Sequence, residues 1–377
     1  MTGRNYGLDV LRAAAILLVV ASHAIFFIIQ AIPESDSIKL ISYFCGFWGV
    51  ELFFVISGFL IGTIIKKLVV ANSRYWIFSF WIRRWFRTLP CYFLFLLLNI
   101  LWFYYLNNAL PKTLFYYPIF AQNLAWEHPE FFPEAWSLSV EEYFYLIFPL
   151  VIVILIKCKL KPKTSYLASG AFLLIFSTIL RCYYAFIEPS LTWDADIRKV
   201  VVFRFDSLMF GIYLSWFISY INSVNQKKFL FLLGLSALLV SIGAYFSLNH
   251  DHSYFLKTIE FSITSIGFSL IIPYMLDFQW AEQNIVGVFF KRTALWSYSM
   301  YLSNFFLYAL TQKFIFSEYF AENKWDGILF CIPVLIFSCY LVSATTYRAY
   351  ELPVMNVREH VIAWISCRIK ITNRCKV

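Results

Sequence analysis

Charge is scarce in this chain. Asp, Glu, Lys and Arg make up 14% of its 377 residues, where a soluble globular protein carries about 25%. With 61% hydrophobic residues and a mean hydropathy of +0.69, that shortage excludes an ordinary water-soluble domain. The eight cysteines are scattered: no Cys-x-x-Cys occurs and no Cys/His cluster has zinc spacing. They read as small apolar residues in helices, and neither a structural disulfide nor a metal is expected. No internal repeat is visible, which weighs against the many transporter folds built from duplicated halves. No appended soluble domain is expected. Residues 1–353 read as one membrane domain, and 354–377 as a short basic cytoplasmic tail. Its apolar stretch Val-Ile-Ala-Trp-Ile-Ser suits a helix lying on the inner membrane surface.

What the chain does have is long apolar runs, each able to span about 30 Å of hydrocarbon. Ten are placed, at about 10–31, 41–65, 88–106, 137–156, 166–187, 200–220, 229–248, 255–276, 294–316 and 328–347. The expected fold is therefore all-α: a polytopic membrane protein of about ten transmembrane helices with no soluble domain. The first run is long and leads into further spans, so it reads as an uncleaved anchor rather than a signal peptide. Orientation follows from the basic residues. With both termini cytoplasmic, 22 of the 31 lysines and arginines fall inside and 7 outside, while Arg181 and Arg204 lie within or beside spans. This bias, with attraction to anionic lipid, accounts for the net charge of +9 without nucleic acid.

Against this background the ionisable residues inside the runs stand out, because such groups are costly at bilayer depth and usually mark a site. Arg12 and His23 are eleven positions apart, about three turns, so both lie on one helix face roughly 16 Å apart. Asp9 joins that face one turn earlier. A guanidinium near one surface and an imidazole deep inside suggest an anion docked at the mouth and chemistry further in. Histidine suits that chemistry because it accepts and returns a proton near neutral pH. The bland alternative is a polar residue gluing helices together.

Other clusters divide in the same way. In Glu51-Leu-Phe-Phe-Val-Ile-Ser57-Gly58-Phe-Leu-Ile-Gly62 the two glycines permit close helix approach, and Glu51 lies on the same stripe, where pairing with a cation would explain it. Arg83-Arg84-Trp-Phe-Arg87 sits at the inner surface, where arginines anchor helices. A phosphate clamp is the functional reading, since Arg offers a fixed fork to phosphate oxygens. In Trp136-Ser-Leu-Ser139-Val-Glu141-Glu142, Ser139 and Glu142 fit a capping box, which leaves Glu141 unexplained. Arg204 and Asp206 suit an internal ion pair or a polar cavity. The outside segment from about Asn107 to Ala135 is rich in Trp, Phe, Tyr and Pro and is expected to fold back over the mouth. Its aromatics, with Trp126, His128, Phe131, Phe132 and the neighbouring Trp136, are candidates for acceptor selection.

Several of these stretches together resemble the acyltransferase 3 family of bacterial integral-membrane O-acyltransferases. The matching pieces are Gly7-Leu-Asp9-Val-Leu-Arg12 with His23, Gly49-Val-Glu51-Leu-Phe-Phe-Val-Ile-Ser57-Gly58-Phe-Leu-Ile, and Arg84-Trp-Phe-Arg87 with Pro90. Trp136-Ser-Leu-Ser-Val-Glu141, Arg204-Phe-Asp206-Ser-Leu-Met-Phe-Gly211 and Tyr350-Glu351-Leu-Pro353 also fit. The resemblance implies a ten-helix fold in the bacterial inner membrane and no permanently bound cofactor. It implies acyl-CoA, most simply acetyl-CoA, as co-substrate, and an acceptor hydroxyl on a cell-surface polysaccharide or its lipid-linked precursor. It carries the essential histidine onto His23, donor-side arginines onto Arg12, Arg84 and Arg87, and a further catalytic candidate onto Glu141. Asp9, Glu51, Ser57, Arg204, Asp206 and Asn304 are supporting candidates. In Ser297-Tyr-Ser-Met-Tyr301-Leu-Ser-Asn304 the family commonly ends on histidine; asparagine hydrogen-bonds but cannot serve as a base. Alternatives are a small-molecule acceptor, another acyl group such as succinyl, or a transporter, which would move substrate without consuming acyl-CoA.

Overall fold

A computed structural model describes residues 4–71, 76–280, 282–359 and 361–362. The expected tail helix, Arg74 and the basic residues from Arg368 onward lie outside them. Among the described residues there are only helices, turns and loops. The α-helices are α1 (Tyr6–Ala31), α2 (Asp36–Ala71), α3 (Trp76–Asn107), α4 (Ala135–Lys157), α5 (Pro162–Ile187), α6 (Phe205–Phe217), α7 (Val224–Ser247), α8 (Tyr254–Thr258), α9 (Glu260–Met275), α10 (Ile285–Thr311), α11 (Ser317–Tyr319) and α12 (Lys324–Thr346).

Local chemistry sets several starts. Asn5 caps α1, its Oδ1 accepting the Leu8 N–H at 3.0 Å, and Asp9 in the first turn complements the helix dipole. Pro162 opens α5 at a position where no N–H is missed. Ser223 and Gln226 form a capping box on α7. The box expected at Ser139 and Glu142 does not form. Helix α4 starts a turn earlier, at Ala135, so Ser139 lies inside it, bonded to the Ala135 carbonyl at 3.2 Å and to the Gln122 amide at 2.7 Å.

Of the ten expected spans, seven fall on helices that, among the described residues, are long and apolar enough to cross a membrane: α1 to α5, α7, and α12 with its continuation to Glu359. The runs at 200–220, 255–276 and 294–316 are each divided between shorter elements or extend past a helix end. Helices α6 and α9 have 13 and 16 residues, and α10, a continuous helix of 27 residues, has its apolar character broken by Lys291, Arg292 and a Ser/Tyr/Asn-rich stretch. Helix α1 packs between α2 and α10, α2 against α6, α7 against α9, and α10 against α12. The α2–α6 contact depends on Gly58, where a Cβ would collide with the Leu208 carbonyl. The packing reading of that glycine therefore holds.

The two ends of the bundle differ. At the basic end Arg4 bonds the Lys291 carbonyl at 2.9 Å and Arg83 pairs with Glu359 at 2.7 Å. At the opposite end, the loop end, the segment between α3 and α4 folds back as expected. The Asn123 and Leu124 carbonyls accept the Val201 and Val202 N–H groups at 3.0 and 3.2 Å, tying it to the segment before α6. Its aromatics are not the exposed set expected. Trp126 is exposed, but Phe131, Phe132, Trp136 and His128 are buried. Phe131, Phe132 and Trp136 join the main core with α3 and α4, because the fold-back gives them apolar neighbours.

Candidate active site

At the basic end of α1, the buried Asp9 carboxylate is shared by two cations, Arg4 Nε at 2.6 Å and Arg12 Nη1 at 3.3 Å. One carboxylate cannot neutralise two guanidiniums, so this corner stays positive. Arg84 and Arg87, one turn apart on α3, face it across a cavity of about 480 Å³ that all four arginines line, together with Ser57 and Glu141. Arg87 is exposed, and its hydrogen-bond contact is the Met355 sulfur at 3.9 Å. Its fork is therefore free for oxygen ligands.

Arg84 is held differently. Its Nη2 donates to the Tyr145 hydroxyl at 2.5 Å, and its guanidinium lies over the Tyr145 ring at 4.2 Å. Tyr145 donates to Glu141 Oε2 at 2.7 Å. A hydroxyl has one proton and two lone pairs. Having given the proton to Glu141, Tyr145 accepts from Arg84 and from Ser57 Oγ at 2.5 Å. Three candidates chosen from sequence, Ser57, Arg84 and Glu141, thus meet on one tyrosine that sequence reasoning passed over. The available signal was spacing, since Tyr145 follows Glu141 by one helical turn. Arg4 was also missed, although it precedes Asp9 closely.

The cavity reaches Ser137 and Tyr301, whose hydroxyls are 2.6 Å apart. His23 is not on its wall. It sits further along α1, partly exposed, between the rings of Phe26 and Phe305 at 5.5 and 5.2 Å. His23 Nδ1 is hydrogen-bonded to Asn304 Oδ1. The Asn304 amide nitrogen donates to the Met300 and Tyr301 carbonyls at 3.0 and 2.6 Å. Both its hydrogens are thereby committed, so it is the oxygen that faces the imidazole. Nδ1 then carries the proton and Nε2 keeps a lone pair. An asparagine here cannot act as a base, but it fixes the tautomer in which His23 can.

Glu51, Arg204 and Asp206 belong elsewhere. Glu51 pairs with Arg204 and accepts from Ser207 at 2.7 Å and Ser265 at 3.0 Å. Asp206 pairs with Arg181 at 2.8 Å. Arg204 and Asp206 therefore do not pair with each other, as their spacing suggested. Each takes a partner from another helix, and the resulting buried network fastens α2, α5, α6 and α9 outside the cavity. At the loop end Arg198 and Lys199 share Asp194, both at 2.5 Å. Burial alone would raise the Asp194 carboxyl, but the two cations outweigh it and hold it at about 2. Burial, with Lys199 adding to it, lowers the His128 imidazole to about 3.

A family model described as an acyltransferase domain matches residues 5–346. The O-acetyltransferase OatA of Staphylococcus aureus is 24% identical over 401 aligned positions, which cover 92% of this chain and 57% of that protein. The peptidoglycan O-acetyltransferase OatA of Listeria monocytogenes is 28% identical over 171 residues, 41% of this chain and 25% of that protein. The putative peptidoglycan O-acetyltransferase YrhL of Bacillus subtilis is 31% identical over 163 residues, 39% and 24%. This chain thus spans from about a quarter to just over half the length of these relatives. No solved structure matches it. A match that runs from the cap of α1 to the end of α12, and so takes in both the arginine-lined cavity and His23, places the chain in a family: it belongs to the acyltransferase 3 family.

Proposed function

We propose that the protein is a membrane O-acyltransferase of the bacterial inner membrane, with both termini cytoplasmic. It moves an acyl group, most simply acetyl, from cytoplasmic acyl-CoA to a hydroxyl of a cell-surface polysaccharide or its lipid-linked precursor. One observation carries this reading: α1 joins a cavity lined by four arginines at one end to a histidine with a free Nε2 further along. Phosphates of coenzyme A suit the arginines, and its pantetheine arm suits the roughly 16 Å between Arg12 and His23. Relatives named as peptidoglycan O-acetyltransferases support acetyl as the group and a glycan as the acceptor.

In this mechanism His23 Nε2 takes the proton of the acceptor hydroxyl as its oxygen attacks the thioester carbonyl carbon. The carbon–sulfur bond breaks, and the departing thiolate receives a proton from the imidazolium. The oxygen–acyl bond replaces the sulfur–acyl bond without redox change. A positioned base of this kind contributes typically about 10²–10⁴-fold.

The test uses the purified protein in micelles, radiolabelled acetyl-CoA and peptidoglycan fragments. Label should become an alkali-labile ester in the unmodified protein and not in a folded His23→Gln variant. Movement of substrate across a vesicle membrane without release of free thiol would replace this reading with a transporter.

A further inference from the structure

Glu134 is the last residue before α4, and it is buried at 4% exposure. Its carboxyl lies against its own backbone N–H, and its Oε1 accepts the Phe305 N–H at 3.0 Å. Oε2 is buried and has no hydrogen-bond partner. Phe305 lies well inside α10. In a regular helix its N–H answers the carbonyl four residues back, that of Tyr301. Here that carbonyl accepts the Asn304 side-chain amide at 2.6 Å. A carbonyl has two lone pairs, so the Tyr301 carbonyl can serve both a backbone amide and Asn304. The amide that Glu134 engages belongs to the peptide unit directly after Asn304, so the carboxyl pins the backbone from which the Asn304 side chain extends. The second Asn304 hydrogen goes to Met300. With its nitrogen so committed, Asn304 presents its oxygen to His23 Nδ1.

The contacts around this path tie it in further. The Phe305 ring packs edge-on against His23 at 5.2 Å. The Glu134 carbonyl accepts from Tyr301 at 3.2 Å and from Ser137 at 3.4 Å, the two hydroxyls at the far reach of the cavity. A buried carboxyl with one oxygen left unpartnered is costly to keep, and a role at the adjacent site accounts for its presence.

We propose that Glu134 is a positioning residue for His23: through Phe305 and Asn304 it holds the imidazole with its proton on Nδ1 and its lone pair on Nε2. It thereby links the segment that folds over the loop end to the reacting histidine. The kinetic part of this proposal rests on the function proposed above; the tautomer part does not.

The experiment compares Glu134→Gln, which keeps an accepting oxygen, with Glu134→Ala, which does not. Glu134→Met fills the same space without the oxygen and serves if the alanine variant does not fold. Nitrogen-15 spectra of histidine-labelled full chain in micelles report the tautomer without any substrate. The His23 signal, one of five, is assigned by its loss in His23→Gln. It should read as Nδ1-protonated in the unmodified protein and in Glu134→Gln, and as a tautomer mixture in Glu134→Ala. With acetyl-CoA and peptidoglycan fragments as substrates, thiol release should show kcat about tenfold lower in Glu134→Ala with KM for acetyl-CoA unchanged, restored in Glu134→Gln. Because Glu134 acts through Asn304, its loss should add nothing to Asn304→Ala. An unchanged tautomer in folded Glu134→Ala, or additive losses in the double variant, would overturn the proposal. No thiol release from the unmodified protein would instead remove the proposed function, and the spectra would still decide the role of Glu134.

Discussion

Tyr145 stands between Glu141 and Arg84 as a neutral bridge, donating to the carboxylate at 2.7 Å and accepting from the guanidinium at 2.5 Å. The two charged groups themselves are 4.0 Å apart, so their link runs mainly through the phenol. Removing that hydroxyl in Tyr145→Phe breaks hydrogen bonds to charged groups, each worth about 1.5–3 kcal/mol. Freed from its hold, Arg84 should bind the donor less well. The expected result is a KM for acetyl-CoA raised roughly tenfold or more, together with a lowered thermal transition in detergent.

The arginines predict a graded series. Arg87 has little to lose inside the protein, so Arg87→Ala should weaken binding of 3′,5′-adenosine diphosphate by roughly 10- to 100-fold, the value of a charge-assisted contact. Arg87→Lys should recover only part, because an ammonium lacks the bidentate fork. Calorimetric titration of both variants checks this. Equal affinity in the alanine variant would return Arg87 to helix anchoring.

The Arg181–Asp206 pair predicts stability, not activity. Both side chains are fully buried, and Arg181 also donates to the Phe203 and Thr258 carbonyls at 2.6 and 2.8 Å. Asp206→Ala strands that cation and should cost about 3–5 kcal/mol, whereas replacing both partners by leucine should cost less. Thermal unfolding of the two variants in one detergent makes the comparison.

His128 predicts a pH dependence at the loop end. Its folded value of about 3 lies below the unfolded one, near 6.5. Between these limits the unfolded chain binds a proton that the folded segment does not. Stability should therefore fall as pH drops from about 6.5 toward 3, by at most about 1.4 kcal/mol per unit. Limited proteolysis at Trp126, exposed beside it, should accelerate over that range and flatten in His128→Phe.

Much of the fold was legible because apolar runs are a direct record of helices that meet lipid. The exact crossing elements were not, because α6, α9 and α10 are shortened or made polar by the network and the site they carry. That Arg12, Arg84 and Arg87 line one cavity was foreshadowed by their placement in short motifs on the first run and just before the third, all assigned to the same side of the membrane. Glu134 and Tyr145 were not, because their partners, Phe305 and Arg84, are brought to them only by the packing of α10 and α3. The aromatic segment misled for a related cause: a sequence shows that Phe132 and Trp136 are apolar, but not that the chain turns back to bury them.

The unbroken course of α1 has one more consequence, for how this protein can vary. Eleven residues from Arg12 to His23 make close to three whole turns. One inserted residue would rotate His23 by about 100° and carry it away from Asn304 while lengthening the helix by only about 1.5 Å. An insertion of four residues would leave the two nearly in phase but about 6 Å further apart. The separation between the basic corner and the imidazole is therefore quantised: it can change by whole turns or not at all, and no sequence of small insertions leads from one working spacing to the next.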